Sequence, residues 1–163
     1  MGLIIKDKIR KMIKGFPTVS DKYNIGGATL AGTDAVHFGD LVGYGTVQGT
    51  YKKLSTVTAA TDVAGIVVGT NVKLADVPSN DVKVYPGEAF NLLIDGFVAV
   101  QLASTADTDD ITPNAAVAVN ATGGITTPQT SGTFNLPNTV FTGTWENIGT
   151  ATSPVILAEI YVK

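Results

Sequence analysis

The apolar positions change period once along the chain. In the first sixteen residues Ile5, Ile9, Met12, Ile13 and Phe16 fall at i, i+4, i+7, i+8 and i+11, one stripe of a 3.6-residue helix. The opposite surface is basic, and Gly15 and Pro17 end the pattern, Gly15 as a C′ residue and Pro17 because it cannot continue a helix. From Thr18 onward the apolar residues come in short alternating or β-branched runs punctuated by Gly, Asn, Asp and Pro, which is the pattern of strands and turns. Strands are expected at Tyr23–Leu30, His37–Tyr44, Val63–Thr70 (extended by Asn71–Leu74), Phe141–Glu146 and Val155–Val162. Thr50–Leu54 is expected to return from a hairpin near Gln48-Gly49, and Asn114–Asn120 to pair with Ile125–Thr127 across Thr122-Gly123-Gly124.

The longest nearly uninterrupted apolar tract is Val82–Leu102. It contains Asp95-Gly96, the dipeptide of a two-residue type I′ turn, so Ala89–Ile94 and Phe97–Leu102 are predicted to form a hairpin. In that register Leu93 faces Val98 on one side, and Leu92 faces Ala99 on the other. Both faces are apolar, so the pair belongs inside a sandwich or closed sheet. Ser104–Asp110 reads as an acidic surface loop, and Thr126–Pro137 as a loop or edge extension.

Composition agrees with an all-β chain. Of 163 residues only 15% are charged, 18 are Gly, and none is Cys, so disulfides and thiolate metal sites are excluded. The expected organisation is a basic amphipathic helix or arm, residues 1–17, and a single β-rich domain, residues 18–163, of sandwich or barrel-like form. The net charge of −3 divides unevenly: residues 1–14 carry +4 and the remainder −7. An acidic β domain repels phosphates, so no nucleic acid is expected as a partner. No apolar run reaches the roughly 20 residues that span a bilayer, and Lys6 stands where a myristoylation motif wants Ser or Thr. No membrane partner is expected.

Candidate chemistry is sparse. His37, the one histidine, lies beside Asp40 with no nucleophile or Gly-x-Ser-x-Gly elbow to serve. Gly43-Tyr44-Gly45 with Gly49 departs from phosphate-loop spacing and reads as bulges or turns. Asp107, Asp109 and Asp110 lack the calcium-loop spacing, and Glu88, Asp95, Glu146 and Glu159 form no spaced pair. No catalytic, cofactor or metal residue is therefore assigned, and the chain is not expected to be an enzyme. What folding of the β domain does not require is the arm, whose Ile5, Ile9, Arg10, Met12, Ile13 and Phe16 are the candidate partner-binding residues.

The succession FGDLVGY, DVAGIVVG, VYPGEAFNLLIDGFVAVQL, ITPNAAVAVNATGGIT and SPVILAEIYV, over roughly Val36 to Val162, resembles the small capsid cement or decoration proteins of tailed bacteriophages. The insert TTPQTSGTFNLPNTVFTGTW and the basic N-terminus depart from that pattern. The resemblance implies a β-tulip domain, often trimeric, on the outer surface of the virion capsid where major capsid proteins meet, stabilising the head without a cofactor or enzyme activity. A second expectation is a head fibre or carbohydrate-binding adhesion module using exposed aromatics such as Tyr44, Tyr51 or Trp145. A third, a hydrolase, lacks the carboxylate pair it would need.

Overall fold

The computed structural model describes residues 12–18, 23–69 and 82–163. Among them are eleven strands: β1 (Tyr23–Leu30), β2 (Val36–His37), β3 (Leu41–Tyr44), β4 (Thr50–Lys53), β5 (Val63–Val68), β6 (Lys83–Val84), β7 (Ala89–Gln101), β8 (Ala116–Asn120), β9 (Ile125–Thr126), β10 (Thr133–Asn147) and β11 (Ile156–Val162). Nine join in the order β1-β4-β3-β5-β7-β11-β10-β8-β9. Because β1 also pairs with β7, strands β1, β4, β3, β5 and β7 close on themselves, so the fold is all-β and barrel-like, with β11, β10, β8 and β9 extending from β7. A separate ribbon of β2 and β6 brings Val36 and Val84 into the core.

The Val82–Leu102 tract is not a hairpin. β7 runs unbroken through Asp95-Gly96 for 13 residues. Against β1, Tyr23 pairs with Gly96 and Asn24 with Asp95, but Ile25 pairs with Leu93, so Ile94 is the extra residue of a β-bulge. Gly96 supplies the positive φ of 134° at this kink. The strand changes neighbours there: β5 lies along Asn91–Leu93 and β11 along Gly96–Gln101. The bulge also shifts the side-chain phase. Leu93 before it, and Val98 and Val100 after it, enter one large core with Leu41, Ile66, Val68, Phe141 and Ile160, whereas Phe90 and Leu92 enter a second core with Leu30, Val36, Val42 and Val67. A straight strand of period two would send Val98 and Val100 to the wrong core.

β1 occupies Tyr23–Leu30 as expected, and β8 and β9 pair as the expected hairpin. The expected strand His37–Tyr44 is instead two, with a turn between them in which Asp40 N–H donates to His37 C=O at 3.1 Å. β10 begins eight residues earlier than the expected Phe141. It carries Pro137 and the left-handed Asn138 (φ 55°) where pairing with β8 breaks between Asn135 and Val140. A proline lacks the N–H a ladder needs, so the strand is interrupted there rather than ended. The expected extension Asn71–Leu74 lies outside the described residues.

The predicted helix does not extend through Met12–Phe16. Phe16 N–H donates to Ile13 C=O in a single turn, and Pro17 then bridges to Val98. Gly15 N–H and C=O, Phe16 C=O and Thr18 N–H bond to Ala99, Gly69 and Phe97 elsewhere in the domain, which removes them from any i→i−4 ladder. Residues 1–11 lie outside the described residues.

Candidate functional site

Two regions hold the residues that the sequence singled out. The first is the strap formed by Met12–Thr18, which is tied to the domain at every turn. Met12 N–H donates to Glu146 Oε1 at 3.0 Å. Gly15 N–H donates to Ala99 C=O at 2.7 Å, and Gly15 C=O accepts from Gly69 N–H at 2.9 Å, so one residue links β7 to the segment following β5. Gly15 has φ +75°, and a Cβ there would overlap the backbone of Phe38 and Gly39, so this position requires glycine. Phe16 is buried, with its ring edge-to-face on Phe38 at 5.7 Å.

Lys14 anchors the strap electrostatically. Its Nζ lies 2.7 Å from Asp40 Oδ1, and Asp40 Oδ2 accepts from His37 N–H at 2.9 Å and lies 3.2 Å from His37 Nδ1. Burial pushes the Asp40 carboxyl up, but the charge and hydrogen bond of Lys14, the His37 N–H and the charge on His37 together outweigh it and hold the group below its ordinary value of 3.8. His37 thus serves to position Asp40.

Of the candidate arm residues, Met12 and Ile13 are half-buried and Phe16 packs inside the domain's own fold. Ile5, Ile9 and Arg10 lie outside the described residues. The Lys14–Asp40 pair was not legible beforehand, since 26 positions separate the partners; the only signal was a lone Asp following Phe38-Gly39.

The remaining candidates have structural employment. Asp107 Oδ1 accepts from Asp109 N–H at 3.0 Å and caps a one-turn 3-10 helix. Glu88 Oε2 accepts from Tyr85 N–H at 2.7 Å in the turn before β7. Asp95 is exposed at the bulge, and Glu159 sits in β11 opposite Ala99. Gly43 lies at the shift in register between β3 and β5, and Gly49, with φ +77°, turns the chain into β4.

The second region is an open mouth at the far end of the large core, bordered by the ends of β7, β10 and β11. Trp145 pairs with Ala158, whose side chain is in the large core, yet the indole remains 42% exposed. The pairing of β10 with β11 is irregular between Phe141 and Trp145, where Gly143 takes φ +90°. Tyr44 is exposed too, whereas Tyr51, expected as a surface aromatic, is half-buried with its ring 6.1 Å from Tyr44 and 6.2 Å from Phe90.

The model of the family described as Structural cement protein (E217 gp24/Pam3 gp6) matches residues 6–161. A solved chain from "The capsid of Myoviridae Phage XM1" has the same fold, with TM-score 0.61 and 14% identity over 97% of this chain and 96% of that chain. No curated protein matches.

Proposed function

The chain belongs to the structural cement protein family, and from that membership we propose how its fold grips a capsid. It is a virion structural protein, a capsid cement that associates with the shell and stabilises the head. In our reading the β domain sits on the outer surface of the shell, contacts the major capsid protein and assembles with copies of itself, with a trimer favoured. Residues 1–11, with Ile5, Ile9 and Arg10, dock on a neighbouring capsid subunit, and Met12 and Ile13 border that contact.

The strap is the observation that supports this. A cement protein must transmit load from its contacts into a body that does not unravel. The strap is hydrogen-bonded on two sides, with its ring and its ammonium held inside the fold, so a pull on residues 1–11 is resisted by several bonds at once. Many modest contacts repeated over a shell then add by avidity.

Removing residues 1–11 while leaving Met12 onward separates the two parts. We expect the truncated chain to melt as the full chain does, and to bind particles lacking the protein at least tenfold more weakly. Undiminished binding would assign the grip to the β domain alone.

A further inference from the structure

We propose that the mouth at Trp145 is a binding site for a neutral carbohydrate, independent of the attachment to the shell. The pocket measures about 430 Å³ and is lined by Gln101, Ser104, Thr108, Trp145, Asn147 and Ile156 among others, none of them ionisable. That volume lies in the range of small-molecule sites and holds a pyranose ring. Its chemistry is specific: one large aromatic face, an apolar floor and several amides and hydroxyls, without a charge to favour an ion. A pyranose presents the complementary surfaces, a patch of C–H groups that packs on an indole and a rim of hydroxyls that both donate and accept.

The site is held in shape. Asn147 Oδ1 accepts from Gly149 N–H at 2.9 Å and from Val155 N–H at 3.1 Å, which orients the amide and leaves its Nδ2 as a donor. Trp145 and Asn147 project to the same face of β10, two residues apart, opposite Ala158 and Ile156 of β11. Ser104, exposed in the segment that follows β7, forms the other wall. The indole keeps 42% of its surface open to solvent. The neighbouring Glu146, facing the opposite side, holds the strap, so the aromatic mouth and the strap use different faces of one strand.

Trp145 is the single tryptophan of the chain, so its emission reports on this site alone. The full chain is titrated with methyl β-D-galactopyranoside, methyl β-D-glucopyranoside and methyl α-D-mannopyranoside. A saturable change in emission with at least one of them is expected, together with saturation transfer to that sugar's C–H protons in NMR. W145A should abolish the transfer while unfolding stays cooperative, W145F should retain part of it, and S104A should weaken binding several-fold. No saturable change with any of the three sugars overturns the proposal, as does transfer undiminished in W145A. Acrylamide quenching on assembled particles is the second readout: quenching as efficient as on the free chain supports an open site, whereas loss of quenching makes the mouth a shell contact and contradicts the proposal.

Discussion

The strap at Met12–Thr18 and the mouth at Trp145 both contain a large aromatic residue, and the fold treats them in opposite ways. At the strap, Phe16 is covered, the flanking peptide groups are paired with β7 and with Gly69, and the one cation is matched by Asp40. At the mouth, Trp145 is left 42% exposed and the polar side chain of Ser104 faces solvent. The strap is therefore structure. The mouth is surface, and its shape is preserved by backbone pairing that does not depend on the indole. A residue satisfied from all sides contributes to stability, and one kept open at an edge is available for contact.

Substitutions in the two regions sharpen that contrast. The largest effect is expected at the strap: Phe16→Ala should cost about 3–4 kcal/mol in urea denaturation, because it removes a buried ring next to Phe38 that the surrounding backbone cannot collapse to fill. A loss below about 1 kcal/mol would mean that the strap is not part of the folded body.

Asp40→Asn comes next, at about 2 kcal/mol at neutral pH, since it leaves the Lys14 ammonium without its partner carboxylate. The folded pKa of Asp40 lies below the ordinary value, so the native state favours the ionised form and the stability this supplies is complete above 3.8 and lost as pH falls through the lower folded value. The difference in urea midpoint between wild type and Asp40→Asn should therefore shrink on acidification below 3.8. A difference that is constant with pH would remove the ion pair from the account.

The smallest effects are expected at the surface. Trp145→Ala should cost about 1–1.5 kcal/mol, no more than half the Phe16 figure, because part of the indole is already in water. Tyr44→Ala should fall within about 0.5 kcal/mol by thermal melting. Equal losses at Phe16 and Trp145 would erase the distinction between a strap and an open mouth.

Much of the fold was legible because short strands punctuated by Gly and Asn signal themselves locally, as in β1 and in the β8–β9 hairpin. The misreading of β7 is instructive. A two-residue hairpin at Asp95-Gly96 and a bulge at the same place put Leu93 and Val98 on one face and Leu92 and Ala99 on the other, so the hydrophobic pattern is the same for both. What decides between them is nonlocal: β1, β5 and β11 all lie along this tract, and only a continuous strand can serve them. The candidate site was legible to a smaller degree. The apolar stripe pointed to the N-terminus, but it could not show that Phe16 turns inward, or that Gly15 bonds to both Ala99 and Gly69. Those contacts depend on elements 22 to 84 residues away, and helical period and strand capture compete for the same few residues.

The central claim, that this chain cements a capsid, is tested most directly by heating genome-filled particles with and without it and following release of DNA. Particles carrying the full chain should release DNA at a higher temperature than particles lacking it, and adding the purified protein back should restore that temperature. Identical release temperatures, with the protein shown to be bound, would contradict a cementing role.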